Sequence, residues 1–189
     1  MLRTRKLLLV AAAAVVLLAG AAAAAWWVPL TWQARVDRPV GELMAAGDPP
    51  APGPWTAGYT EPEPGEATRS WKAPGGVEVD ETIRRHSSPV WASLAYDRSD
   101  PSVERAEYFD LIVERTPPRP LPEADAARYF CGQVHGRPGT CDSWWVQLRY
   151  GQYVVDIQTV DVPSAESAEV PPWLAEFVRA ADEALTSRT

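Results

Sequence analysis

Trp144-Trp145-Val146-Gln147-Leu148-Arg149-Tyr150-Gly151-Gln152-Tyr153-Val154-Val155-Asp156-Ile157-Gln158-Thr159-Val160 is the stretch on which the fold turns. Two runs rich in aromatic and β-branched residues, Trp144 to Tyr150 and Tyr153 to Val162, flank Gly151-Gln152, a two-residue turn signal. In a strand successive side chains point to opposite faces, so Trp144, Val146 and Leu148 share one face. Val155 and Ile157 are their inward counterparts across the turn. The same alternation separates Trp144 from Trp145.

Downstream, Pro171 and Pro172 set the entry to an amphipathic helix. Leu174, Phe177, Val178, Ala181 and Leu185 follow helical spacing, with Glu176, Arg179, Asp182 and Glu183 on the outer face. Such a helix needs a sheet or another helix beneath it.

Upstream, Pro122, Glu123 and Asp125 resemble a helix start. Ala127, Phe130, Cys131 and Val134 then fall at i, i+3, i+4 and i+7, which predicts a helix ended by Gly136, Pro138 and Gly139. Phe109, Leu111 and Val113 alternate as a strand, facing away from Asp110, Ile112 and Glu114. Val90, Ala92, Leu94 and Tyr96 predict another strand, and Val77, Val79 and Ile83 a third. The expected class is α+β: a small, mainly antiparallel sheet with two helices, the C-terminal one packed on the sheet, over residues 77–189.

From Gln33 to Gly76 the chain holds eight Pro and seven Gly, including Asp48-Pro49-Pro50-Ala51-Pro52-Gly53-Pro54. Residues 33–76 therefore read as a Pro/Gly-rich tether, with Trp55, Tyr59 and Trp71 large for a pure spacer. Before it, Arg3, Arg5 and Lys6 precede an uncharged run over residues 7–30. Twenty-four residues at 1.5 Å each make roughly 36 Å of helix, enough for a hydrocarbon core of about 30 Å. Trp26, Trp27 and Trp32 stand where indoles favour the membrane boundary. Residues 1–32 predict a transmembrane signal anchor in the cell membrane, crossed once, with the N-terminus cytoplasmic and the C-terminal domain extracytoplasmic. The alanines from Ala21 to Ala25 offer the alternative, a cleaved signal peptide and a secreted product. Sixteen Arg against two Lys, with abundant Ala and Pro, suggest a bacterial source.

After Leu30 come 15 basic and 25 acidic residues, a net charge of −10. That balance excludes nucleic acid as a partner, because phosphate binding needs a cationic face. The two cysteines, Cys131 and Cys141, would lie in an oxidising compartment, where an even count predicts a disulfide. Cys131, His135, Cys141 and the adjacent Asp142 match no common structural zinc spacing, even with His86 added, so neither metal nor cofactor is expected. His86 stands beside Ser87 and Ser88, but no G-x-S-x-G turn surrounds any serine, and no catalytic residue is assigned.

Trp144, Trp145 and Trp91 are the candidate binding residues, since an exposed indole can stack on a sugar or anchor a protein partner. The expected function is that of a membrane-anchored, non-catalytic binding or assembly module of the bacterial envelope. Its partners would be the membrane itself, through residues 7–30, and an envelope protein or a neutral glycan. The alternative is an extracytoplasmic hydrolase acting on cell-wall carbohydrate or peptide through carboxylates or through His86, with Glu104, Glu107, Asp110 and Glu114 themselves read as solvated strand or turn positions.

Overall fold

The computed structural model describes residues 15–18, 20, 39–45, 47–59, 65–101, 109–134, 141–160 and 169–186. The chain divides into two compact units, Met1–Val36 and Asp37–Thr189. In the first, Val15, Val16, Leu17, Leu18 and Gly20 are helical and exposed. The membrane span expected over residues 7–30 lies largely outside the described residues, and among those described no helix is long and apolar enough to cross a membrane.

The second unit is a seven-stranded antiparallel sheet in the order β1-β2-β3-β7-β6-β5-β4. The strands are β1 (Thr56–Tyr59), β2 (Glu66–Lys72), β3 (Glu78–Arg85), β4 (Phe109–Arg115), β5 (Ala126–Val134), β6 (Ser143–Tyr150) and β7 (Tyr153–Val160). The β6–β7 hairpin forms as its alternation requires, pairing Val146 with Ile157 and Leu148 with Val155. Gly151 carries φ +51°, the left-handed conformation that a two-residue hairpin turn demands. Strand β3 pairs with the far side of β7, with Arg85 opposite Tyr153 and Glu78 opposite Val160, and carries β2 and β1 beyond it.

One sheet face forms the main core. Trp71, Val79, Ile83, Tyr129, Trp144, Val146, Leu148, Val155 and Ile157 meet helix α2 (Pro172–Thr186) through its Leu174, Phe177, Val178, Ala181 and Leu185. Trp71 and Phe177 pack edge to face with ring centroids 5.2 Å apart. Each fully buried Leu or Phe in this layer is worth about 1.5–3 kcal/mol relative to exposure. Asp182, assigned to the outer face by spacing, is instead buried, and its Oδ1 accepts the Tyr150 hydroxyl at 2.6 Å.

Two elements expected from spacing exchange their identities. The Val90–Tyr96 alternation belongs to a helix, α1 (Pro89–Arg98). Ser88 accepts the Trp91 N–H as its N-cap, and Pro89 supplies a pre-set first turn. Conversely, the stripe from Ala127 to Val134 is strand β5. Ala127, Tyr129 and Cys131 face the main core while Phe130 points the other way. Both faces of β5 are covered, so apolar residues fill positions at every spacing and mimic a helical stripe.

The domain also begins earlier than composition suggests. Strands β1 and β2 lie inside the expected 33–76 tether, and a 3-10 helix over Val40–Leu43 buries Val40 and Leu43 in the core. The prolines of 48–54 punctuate this stretch without excluding it from the fold. Cys131 and Cys141 form the disulfide, with Cα atoms 5.3 Å apart. It joins β5 to the residue two before β6, where Asp142 donates its N–H to the Gly132 carbonyl at 3.1 Å. With Cys131 on a strand instead of the expected helix, the bond ties that strand to the loop that leads into the next one.

Strand β4 is interrupted. Phe109 stands opposite Val134 but Leu111 opposite Gln133, so Asp110 is an inserted residue that turns Phe109 and Leu111 to opposite faces. Phe109 thereby reaches the ring of Trp145, edge to face at 4.9 Å. Gly132 makes room for that contact: a Cβ there would lie 2.6 Å from Trp145 and 2.9 Å from Phe109.

Candidate functional site

The second sheet face is only partly covered. Helix α1 packs across one end of it, where Ala92 and Tyr96 meet Val154 and Ala126. Arg128 lies 4.0 Å over the Tyr96 ring and donates to the Tyr96 carbonyl, which fixes the helix to the sheet. Beyond the end of the helix the sheet opens into a hollow of about 380 Å³, walled on the helix side by Ser99 and Pro101.

Two rows of side chains floor this hollow in register across four strands. The first runs Thr68, Thr82, Asp156, Gln147 over β2, β3, β7 and β6. The second runs Ser70, Asp80, Gln158, Trp145 over the same strands. At 4.7–4.9 Å between neighbouring strands, each row is about 14 Å long. Antiparallel pairing of four strands with polar residues at alternate positions brings seven polar side chains and one indole onto one surface.

The side chains of the first row are held in place by one another and by Arg84 and Ser99. Arg84 donates to Glu66 at 2.9 Å and to Asp156 at 2.7 Å. The Gln147 amide nitrogen donates to the other Asp156 oxygen and to the Ser99 hydroxyl, both at 3.0 Å. The hydroxyls of Thr68 and Thr82 are 3.0 Å apart. Charge-assisted bonds of this kind are the stronger ones, and a connected network fixes its members before any ligand arrives. Glu78, at the edge of the hollow, pairs with Lys72 at 3.0 Å.

The tryptophans chosen from sequence separate. Trp144 is buried in the main core and offers no surface. Trp145, on the opposite face as alternation requires, is only 6% exposed but borders the hollow. Trp91 is 52% exposed, in the first turn of α1. Trp173, on helix α2, packs against Trp55 at a tilt, with ring centroids 6.3 Å apart. The structure thus brings Trp145 to the hollow and leaves Trp91 and Trp144 outside it.

His86 follows β3, its N–H bonded to the Gln152 carbonyl. Burial first, and then the Arg84 charge, hold its imidazole below the usual range, against the pull of Asp156. The Ser88 hydroxyl accepts the Trp91 N–H as the helix cap, and His86 Nε2 makes no hydrogen bond to it. His135 and the carboxylates Glu104 and Glu107 lie outside the described residues, and among the described residues no group of His, Cys, Asp and Glu could hold a metal ion.

Sequence reasoning missed Thr68, Ser70, Asp80, Thr82, Arg84, Gln147, Asp156 and Gln158 as a group. Their signal was the period-two placement of polar residues opposite the core positions, but the neighbouring of β3 and β7 is not written in the sequence. A second hollow, of about 530 Å³, lies between residues 118–123 and helix α2, over Tyr129 and Asp182. Burial and the Asp182 charge raise the Tyr129 phenol well above its ordinary range, so it stays neutral there. Comparison with protein-family models, with curated proteins and with solved structures finds no match.

Proposed function

We propose that the protein is a non-catalytic binding module of the bacterial envelope, held at the membrane by residues 7–30, with the hollow on the open sheet face as its binding surface. The observation that carries this reading is the pair of in-register polar rows, Thr68–Thr82–Asp156–Gln147 and Ser70–Asp80–Gln158–Trp145. A binding site needs side chains fixed before the ligand arrives, because ordering them on contact costs about 0.5–1.5 kcal/mol each. The Arg84–Asp156–Gln147–Ser99 chain supplies that order. Asp156, engaged by two donors, serves here as scaffold.

A hydrolase acting on cell-wall carbohydrate or peptide is the second reading. It draws on Asp80 and Asp156 lining the same hollow. Asp80→Asn separates the two: a binding module keeps most of its affinity, whereas a hydrolase loses turnover. Location is tested by a periplasm-active reporter at the C-terminus together with alkaline-carbonate extraction of membranes. An active reporter retained in the membrane pellet fits the proposal, and a cytosolic reporter overturns it. Thr82→Val should weaken retention on isolated envelope material without changing thermal unfolding. Unchanged retention would overturn the assignment of the hollow.

A further inference from the structure

We infer that the outward face of helix α1, carrying Trp91, Leu94 and Arg98, lies on the extracytoplasmic surface of the bilayer in which the chain is anchored; this rests on the anchored reading above and not on the hollow. Trp91, Leu94 and Arg98 stand at i, i+3 and i+7, one stripe turned away from Ala92 and Tyr96, which face the sheet. Trp91 is 52% exposed and Leu94 37%, and Arg98 is exposed beside them. An outward helix face in water ordinarily carries polar side chains, and α1 reverses this. Beyond residues 15–18, the one other large apolar side chain exposed among the described residues is Leu111 of β4.

The path of the chain brings this stripe to the anchored end. A Cβ on Gly41 would lie 4.0 Å from that of Ala67, which pairs with Ile83. Ala45 meets Glu81, and Asp48 meets Trp71, which pairs with Val79. Residues 41–48 thus run against the direction of β3, and the chain enters the domain at the end where β3 finishes, at Arg85. Helix α1 begins four residues later at that same end, with the His86 N–H bonded to the Gln152 carbonyl in the β6–β7 turn. Trp91, in the first turn of α1, and the entering chain therefore share one end of the sheet, on its two faces. With the span at residues 7–30, Pro39 follows Leu30 by nine residues, a stretch that reaches at most about 32 Å. That is less than the width of a unit the size of Asp37–Thr189, so this end of the sheet is held close to the lipid.

Area and charge choose the occupant. A helix of 10 residues is about 15 Å long and, at a width of about 10 Å, offers roughly 150 Å², whereas a stable protein interface buries about 800 Å² on each partner. A second copy of the chain would need far more than this stripe. A bilayer needs less, because the anchor already holds it at high effective concentration. Indole rings favour the headgroup level, leucine inserts beside them, and a long arginine side chain reaches the phosphates. After Leu30 the chain carries a net charge of −10, and Asp97 is exposed next to the stripe, so anionic lipid is not the attraction. The fit is to the interface of neutral, zwitterionic lipid.

The test uses the full-length chain in phosphatidylcholine vesicles. Both native cysteines are joined, so one added cysteine is the single thiol for an environment-sensitive dye. Asp97→Cys places the dye beside the stripe, and Lys72→Cys places it at the other end of the sheet. Lipids bearing a nitroxide near the headgroup quench a dye that touches them. The expected result is strong quenching at Asp97→Cys and little at Lys72→Cys, unchanged by phosphatidylglycerol or by salt, and lost when Trp91→Ser and Leu94→Ser are added. Leu94→Glu alone gives a partial loss if that pair fails to fold. Equal quenching at the two positions, or quenching that survives the double substitution, overturns the inference and leaves the anchor standing. Quenching only with phosphatidylglycerol overturns the neutral-lipid class. A dimer that the double substitution dissolves, with no quenching, overturns the inference in favour of a second copy. Release of the chain from the vesicles by alkaline carbonate overturns the anchored reading, and the inference with it.

Discussion

Glu81 sends its carboxylate into the main core to meet the backbone of Ala45, whose N–H lies 3.0 and 3.1 Å from the two carboxylate oxygens. The side chain is fully buried on the sheet face covered by α2. Arg69 donates to the Ala45 carbonyl at 3.2 Å, so both backbone polar groups of one residue are held from neighbouring strands. Trp71 Nε1 adds a bond to Asp48 three residues on. The segment that precedes β1 is thus fastened to the sheet by side chains of β2 and β3.

This contact makes stability depend on pH. Burial raises the Glu81 pKa to about 7, against the smaller opposing effects of the Ala45 N–H and the Arg69 charge. The folded state therefore holds this proton more tightly than the unfolded chain, whose carboxyl has its ordinary value of 4.5. The contribution is fully present below pH 4.5, declines as pH rises through about 7, and is then constant. The shift corresponds to roughly 3 kcal/mol. Denaturant titrations at pH 5 and pH 8 should show the wild type less stable at pH 8, and Glu81→Gln should remove most of that difference. Equal slopes in the two proteins would place the titration elsewhere.

Tyr150 and Asp182 form a second buried polar contact, at 2.6 Å. Burial first, and then the bond to Asp182 and its charge, push the Tyr150 phenol far above its ordinary range, so it remains a donor at any physiological pH. Tyr150→Phe removes the donor and leaves a buried carboxylate oxygen without it. The expected cost is about 1–3 kcal/mol, read as a lower urea midpoint at unchanged slope. A neutral result would show that water replaces the hydroxyl.

These two contacts also mark where the sequence stopped being legible. The β6–β7 hairpin and the C-terminal helix were readable because the apolar residues of their core faces keep a single period, the other face of the hairpin carrying Gln147, Asp156 and Gln158 between them. Glu81 and Asp182 break that pattern: each stands on a core face, and only a partner distant in sequence accounts for it. Strand β5 and helix α1 were exchanged for a related reason. Phe130 and Cys131 are both buried on opposite faces, whereas α1 buries only Ala92 and Tyr96, four apart, and its amphipathic signal is weak. The Ser88-Pro89 pair was the better guide, since capping acts locally. The hollow was invisible because its rows exist only once β3 lies beside β7.

Gly132→Ala tests the slot beneath Trp145. A methyl group 2.6 Å from the indole and 2.9 Å from Phe109 forces one ring or the β4 backbone to shift. Overpacking of this kind costs about 1–3 kcal/mol. Because the Trp145 ring borders the hollow, its emission and its indole N–H resonance should move as well. Lost stability with an unmoved Trp145 signal would mean that Phe109 alone yields.

The Cys131–Cys141 bond closes a loop of sequence separation 10 between strands already paired by their ladder. In the chain-entropy account a loop of this size stabilises by about 2.5–3 kcal/mol, nearly all of it through the unfolded chain. Reduction should therefore lower the unfolding midpoint while leaving the β5–β6 register intact, since the Asp142 N–H to Gly132 carbonyl bond does not depend on sulfur. Hydrogen exchange at Asp142 in the reduced protein checks the second half of that statement. The bond also reports on compartment, because structural disulfides persist where the surroundings oxidise. Protein recovered under alkylating conditions from its native host should show the 131–141 cross-link by non-reducing mass spectrometry. Two alkylated thiols would remove the support this bond lends to an extracytoplasmic location.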